Sequence, residues 1–175
     1  PLELAIRLDF AQPVNDINVE HLKKLVINGP NNYPGARFVR FENGRLVRLN
    51  PNDVKQRVQV AQQLVSITSK NRRKIVFRHL LDGDYLMINR QPTLHRPSFM
   101  GHSARVLKNE KVLRLHYSNC KSYNADFDGD ELNVHYPQDE MARTEVAELM
   151  FNTRNFLSPK DGTPLGGLIH DHIIA

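Results

Sequence analysis

A single cysteine, Cys120, is present among the 175 residues, so no disulfide can close within the chain. That composition suits a reducing compartment without establishing one. No apolar run approaches the roughly eighteen residues that a bilayer-spanning helix needs, and no basic-then-apolar leader pattern opens the sequence, so a membrane role has no support. Internal repeats and low-complexity tracts are also missing. What remains is ordinary for a soluble globular protein, with 40% hydrophobic and 25% charged residues, at a length that suits one domain or two small ones. The chain opens at Pro1 without Met and closes inside a run with helical spacing, Leu165 to Ala175. Both features are expected of a piece of a longer polypeptide.

The net charge of +5 hides an asymmetry. Residues 37–114 hold seventeen Lys or Arg against five Asp or Glu, whereas residues 121–150 hold two basic and eight acidic residues. A basic region can be no more than a solvated face. Beside a cluster of carboxylates, it suits binding of polyphosphate or nucleic acid, with phosphate attraction around a site of charge neutralisation.

That cluster lies in Asn124-Ala-Asp-Phe-Asp-Gly-Asp130. Asp126, Asp128 and Asp130 offer only oxygen ligands, the preference of Mg²⁺, which takes oxygens at about 2.0–2.1 Å in near-octahedral geometry. No Cys or His stands between them, so zinc is disfavoured. On a regular strand the three side chains would point one way but spread over roughly 13 Å at about 3.3 Å per residue. A loop curling at Gly129 would gather them. A helix–loop–helix calcium site would need Gly and a carboxylate at loop positions that hold Glu131 and Pro137, so that reading fails. A solvated acidic turn stays open on these residues alone.

Asn18 is placed to cap a helix over Val19 to Asn28, with Val19, Leu22, Leu25 and Val26 on one stripe and Gly29-Pro30 as its stop. The alternating runs Ala36 to Phe41 and Arg45 to Leu49, joined through Asn43-Gly44, predict a hairpin. Asp53 to Val65 has helical spacing, and the polar, basic Ser66 to Lys74 reads as a connector. The period then changes to two at Ile75 to Leu80, Tyr85 to Asn89, Ser103 to Leu107, Val112 to Tyr117 and Glu131 to Tyr136, which predicts a small barrel or sandwich with the acidic loop between two strands. Gln138 to Phe151 predicts an amphipathic helix, and Ser158 to Pro164 a loop. The fold class is therefore α+β. Its portions are residues 1–74 (helix, hairpin, helix), 75–137 (barrel strands and acidic loop) and 138–175 (a helix and loop leading onward).

A second ordered motif, Asn89-Arg-Gln-Pro-Thr-Leu-His95, places a guanidinium, an amide, a proline of fixed φ and an imidazole at the end of a predicted strand. Together with Tyr123-Asn-Ala-Asp-Phe-Asp-Gly-Asp-Glu131, and with Asn28-Gly-Pro-Asn-Asn-Tyr-Pro-Gly-Ala36 upstream, it closely resembles the active-centre region of the largest subunit of multisubunit DNA-dependent RNA polymerases. The resemblance covers nearly the whole chain. Glu110 to Asn119, Ala142 to Glu145 and Pro159 to Gly162 look most like the eukaryotic RNA polymerase I form, as does the helical segment near Asp53 to Val65.

The resemblance implies a double-psi β-barrel carrying the loop, here partial because its first strands would precede Pro1, with residues 138–175 leading into a pore-like domain. It implies that Asp126, Asp128 and Asp130 hold one tight Mg²⁺, with a second arriving with the nucleoside triphosphate. Arg90 and Asn124 would face the nucleotide sugar, and Gln91 and Pro92 would line the template–product duplex or support Arg90. It further implies nucleotidyl transfer from ribonucleoside triphosphates to an RNA 3′ end on a DNA template, in ribosomal RNA synthesis. The implied partners are the second-largest subunit and the other polymerase subunits, in the nucleus and its nucleolus. Without them the isolated chain is expected to be inactive. Glu131, His95 and His102 read as supporting rather than ligating residues, and His170 and His172, two apart, would not share a helix face. Two other classes remain: a nucleic-acid-binding module without chemistry, and another two-metal nucleotidyl transferase or nuclease.

Overall fold

Two asparagines set the first helix. In the computed structural model, which describes residues 2–4, 8–64, 74–108 and 110–168, the Asn18 N–H donates to Asn15 Oδ1 and the Asn15 N–H to Asn18 Oδ1, each at 2.8 Å. Asn18 thus occupies the cap position, but its side chain turns back to Asn15 instead of onto the helix N–H groups. In chain order the strands are β1 (Leu2–Leu4), β2 (Asp9–Pro13), β3 (Ala36–Arg40), β4 (Leu46–Arg48), β5 (Ile75–His79), β6 (Tyr85–Asn89), β7 (Phe99–Val106) and β8 (Asn133–His135). The helices are α1 (Val19–Asn28), α2 (Val54–Gln62), the single turn α3 (Cys120–Tyr123) and α4 (Glu140–Glu145). The class is α+β, with two four-stranded sheets.

The chain divides into two compact units, Ile6–Leu81 and Pro1–Ala5 with Asp82–Ala175. In the first, an antiparallel sheet of order β2-β5-β3-β4 joins α1 and α2 in one apolar core. Val19, Leu22, Leu25 and Val26 of α1, the stripe read from the sequence, are all buried, and meet Val39, Leu49, Val60, Leu64 and Val76 there. The hairpin forms as predicted, with the Gly44 N–H donating to Phe41 O and the Phe41 N–H to Arg45 O, both at 2.9 Å. Asp53 caps α2 by accepting from the Gln56 N–H at 3.0 Å. The helix ends at Gln62, short of the expected Val65, which with Ser66 to Arg73 of the connector lies outside the described residues. Gly35 is required by packing, since a Cβ there would stand 2.0 Å from the Gly29 carbonyl oxygen. Ile75 to Leu80, grouped on the sequence with the later strands, belongs by its hydrogen bonds to this sheet, where β5 lies between β2 and β3.

The second unit has the order β1-β7-β6-β8, with β1 parallel to β7 and the other pairs antiparallel. Its register places Asn89 opposite both Phe99 and Asn133. A polar cluster ties the Asp84 turn to α4: buried Asp84 accepts from Tyr136 Oη at 2.6 Å and from Arg143 at 3.2 Å. Four expectations are corrected here. Val112 to Tyr117 is not among the strands; within it only Arg114 makes an isolated bridge, its alternation survives as half-burial of Leu113 and Leu115, and Val112 is exposed. The acidic loop consequently follows a helical turn instead of lying between two strands. The helix expected over Gln138 to Phe151 begins at Glu140 and widens into a π turn at Val146–Met150. Only Val146 of its apolar stripe is buried, with Met141 and Leu149 exposed. Leu165 to Leu168 is not helical, and the remainder of that run lies outside the described residues.

Candidate active site

The acidic loop is anchored at its entry by a buried polar pair. Tyr123, the last residue of α3, is 1% exposed, and its hydroxyl lies 2.7 Å from Nε2 of His102 on β7. Burial pushes the His102 imidazole down to about 4 and the Tyr123 phenol up, so both stay neutral near pH 7. Ser122 adds a second tether, donating to the Leu165 carbonyl at 3.0 Å. The turn then closes through the Ala125 N–H to Cys120 O at 3.0 Å, with Asn124 in the left-handed region at φ 48°. Asn is among the few residues other than Gly that enter this region readily. Gly129, at φ 123°, makes the second reversal, in a region essentially confined to Gly. Four residues later the chain is in β8.

These two reversals bring one carboxylate oxygen from each of Asp126, Asp128 and Asp130 within 4.8 Å of one another. Asp130 is the organising group: its Oδ2 accepts from the Asp126 N–H at 3.1 Å and from Arg90 Nε at 2.8 Å. The Arg90 hydrogen bond holds the Asp130 carboxyl below the usual carboxylate range, and Arg90 is raised in return. Asp126 is pushed up, first by sharing a hydrogen bond with Asp128 and then by desolvation and by the neighbouring negative charges. The crowding of negative charge that raises Asp126 is what a bound divalent ion would relieve. The donor set fits Mg²⁺: it is all oxygen and sits at the protein surface, where water can fill the remaining positions.

Arg90 follows β6, and its backbone N–H donates to Ser98 O at 3.4 Å. Next to it the Gln91–Pro92 peptide is cis, and Asn89 Oδ1 accepts from the Thr93 hydroxyl at 2.7 Å. Arg90, Gln91, Asp130, Glu131 and Asn133 line a polar recess of about 260 Å³. Of the residues expected to meet substrate, the structure therefore brings Arg90 and Gln91 together with a loop carboxylate. Pro92 is exposed and is not among the residues lining the recess. Asn124 is exposed at the loop's entry, two residues before Asp126. Asn133 was not singled out from the sequence; its signal is the period of two, which puts it on the same face of the strand as Glu131. His95 lies 3.5 Å from Ser98 Oγ, while His170 and His172 lie outside the described residues.

The basic excess is not all surface. Arg57 is 6% exposed and donates to the carbonyls of Ile27, Asn50 and Pro51 at 2.9, 2.8 and 2.6 Å, clasping the end of α1 to the start of α2. Arg78 is also buried, with its guanidinium over the Phe10 ring at 4.9 Å. Arg40, Arg45 and Arg48 of the hairpin are exposed, whereas Arg37 pairs with Asp9 at 3.4 Å.

Comparison with known proteins matches residues 1–152 to the family model described as RNA polymerase Rpb1, domain 2. The chain is 53% identical over 171 residues to DNA-directed RNA polymerase I subunit RPA1 of Drosophila melanogaster, covering 98% of this chain and 10% of that protein. It is 46% identical over 179 residues to DNA-directed RNA polymerase I subunit RPA190 of Saccharomyces cerevisiae, covering 100% of this chain and 11% of that protein. An archaeal relative, DNA-directed RNA polymerase subunit Rpo1N of Thermococcus celer, is 44% identical over 174 residues, covering 99% of this chain and 18% of that protein. The chain thus spans about a tenth of the length of the two polymerase I subunits.

Proposed function

The chain belongs to the RNA polymerase Rpb1 domain 2 family, that of the largest subunits of DNA-directed RNA polymerases, and from that premise we propose that it carries the catalytic centre of RNA polymerase I. The reaction is transfer of a nucleotidyl group from a ribonucleoside triphosphate to the RNA 3′ hydroxyl, on a DNA template. The observation that carries this reading is the convergence of Asp126, Asp128 and Asp130, with ligand oxygens within 4.8 Å, in a chain of this family.

In this reading Asp126, Asp128 and Asp130 would hold Mg²⁺, with a second ion expected beside the triphosphate. When bound, the ions supply Lewis-acid activation of the attacking hydroxyl and neutralisation of charge on the phosphoryl oxygens. The residues of the chain do the rest. The polar recess beside Asp130 receives the sugar end of the nucleotide, where Arg90 hydrogen-bonds its hydroxyls, and Asn124 meets the sugar from the loop's entry, outside the recess. A site built to pair with the 2′-hydroxyl leaves buried groups unsatisfied when that hydroxyl is missing, which favours ribonucleotides. Gln91, on the recess wall, and Pro92 support the Arg90 backbone beside the template–product duplex. The exposed hairpin arginines suit phosphate contacts.

The fold proposed for the assembled subunit is a double-psi β-barrel, of which β6, β7 and β8 are part. Second-largest and smaller polymerase subunits complete the cleft, and the enzyme works in the nucleus, in the nucleolus for ribosomal RNA. The purified chain alone is inactive. The direct test loads Fe²⁺ in place of Mg²⁺ in the polymerase that contains this chain and maps hydroxyl-radical cleavage. Cuts clustered at residues 126–130 are expected; cuts confined elsewhere overturn the site assignment.

A further inference from the structure

Arg90 does more at this site than face a sugar. Its Nε–H is committed to Asp130 Oδ2 at 2.8 Å, and both side chains are about one-fifth exposed. The same Oδ2 accepts the Asp126 N–H at 3.1 Å, so the protein holds that oxygen of Asp130 from two sides. Resting on the proposed metal site, we propose that Arg90 is a resident counter-ion of the carboxylate loop. It neutralises one of the three negative charges and thereby matches the loop to a divalent ion.

The charge arithmetic is simple. Three ionised carboxylates carry three negative charges, and one guanidinium in direct contact leaves two. The guanidinium lies well within the Debye length, about 10 Å at 0.1 M salt, of any ion that Asp130 binds, so it acts on that ion's affinity. It has two opposed effects: it aims Asp130, which favours binding, and it repels a cation, which disfavours it. Aiming is shared with the Asp126 N–H, whereas the positive charge belongs to Arg90 alone. Repulsion therefore dominates, and Arg90 weakens the site for every cation, most for the most highly charged. The remaining guanidinium N–H groups stay available to the recess that Arg90 lines with Gln91, Glu131 and Asn133, so nucleotide contact and metal tuning use different atoms of one side chain.

The test measures the Fe²⁺ concentration giving half-maximal cleavage at residues 126–130 in the intact polymerase, for the parent and for Arg90→Lys, Arg90→Gln and Arg90→Ala, and then the Tb³⁺ concentration that displaces Fe²⁺. Arg90→Gln, which keeps an N–H donor and loses the charge, is expected to tighten Fe²⁺ by about three- to ten-fold and Tb³⁺ by more, as Coulomb interaction scales with ion charge. Arg90→Lys is expected to stay within about two-fold of the parent. Arg90→Gln at or below parent affinity, or equal shifts for the two ions, overturns the proposal. If Arg90→Ala fails to assemble, the Gln and Lys variants decide. Absence of loop cleavage in the parent enzyme removes the metal-site reading and this proposal together, whereas parent cleavage with an unshifted Gln variant removes only this one.

Discussion

The two units of the chain differ in how much of their interior is apolar. In Ile6–Leu81 one apolar cluster runs through both helices and the sheet, from Val14 to Val76. The unit that carries the acidic loop has a smaller apolar interior, Leu86, Ile88, Met100, Ala104, Cys120, Tyr123 and Val146, with Asp84, Ser98, His102 and Ser122 buried among them, whereas the first unit buries Arg57, Arg78 and His79 beside a core about twice as large. It also exposes Leu94, Val112, Tyr117, Phe127, Met141, Leu149, Phe156, Leu157 and Leu168, against Ile17, Ile27, Leu46 and Val54 in the other. Apolar burial is non-directional and forgiving, whereas a network of hydrogen bonds specifies one arrangement. The first unit is built for stability, and the second spends part of its interior on aiming a loop.

The largest effect expected from this contrast is on folding. Leu22, fully buried in the apolar cluster, should cost about 2–5 kcal/mol when cut to Ala. Leu149→Ala, on a side chain 63% exposed, should change stability by no more than about 0.5 kcal/mol. Denaturant unfolding of both variants measures the difference. Comparable losses would mean that the exposed apolar face of α4 and its π turn is as structural as the core, and would break the comparison.

How legible each region was in the sequence follows the same divide. Where burial alone decides, periodicity was sufficient: the α1 stripe, the Asn43-Gly44 hairpin and strand β6 lie where the residue pattern puts them. The acidic loop was visible as three carboxylates and a glycine, but not the helical turn that launches it, because α3 is four residues long and too short for a period. Val112 to Tyr117 shows the limit of alternation, which reports a half-buried segment and not a hydrogen-bonded partner. Strand β1 went unread because it has only three residues, and β2 because its residues do not alternate and it ends on Pro13; their partners, β7 and β5, are distant in sequence. The Arg90–Asp130 contact spans forty residues, and nothing local announces it. Arg57 and Arg78 were counted as surface charge for the same reason, since a charge count carries no burial.

A smaller effect comes from the histidines. His102 is held at about 4 in the folded chain by burial, against an unfolded value of about 6.5. The unfolded state therefore takes up the proton more readily, and stability contributed above about pH 6.5 is lost as pH falls towards 4. The loss is at most about 3 kcal/mol. His102→Gln, which can still hydrogen-bond the Tyr123 hydroxyl, should flatten this slope for the loop-bearing unit. His79 in the other unit is also lowered, by burial first and then by Arg37, so its slope of the same sign should persist in the variant. Urea unfolding followed at a series of pH values, with resonances assigned to each unit, separates the two. An unchanged slope in the loop-bearing unit would show that the His102–Tyr123 pair does not hold a neutral imidazole.

The smallest effect isolates backbone from side chain at the loop's entry. Asn124 sits at φ 48°, where a residue with a Cβ is strained by about 1–2 kcal/mol and Gly is not. If Asn124 serves only to turn the chain, Asn124→Gly should stabilise slightly and leave every function intact. If its amide also meets the nucleotide sugar, the same change should keep the loop's geometry and its Fe²⁺ half-saturation while lowering discrimination between ribo- and deoxyribonucleotides by about three- to ten-fold, the size of one lost hydrogen bond. Asn124→Ala, which loses the amide and keeps the strain, should lower discrimination to the same degree and destabilise by up to about 1 kcal/mol relative to the Gly variant. Single-nucleotide addition with matched ribo- and deoxyribonucleoside triphosphates reads the first quantity, and thermal unfolding reads the second. Equal discrimination in all three proteins would assign Asn124 to the turn alone and leave Arg90 as the sugar contact, which would make the loop-bearing unit's precision a matter of one guanidinium poised between a carboxylate and a substrate.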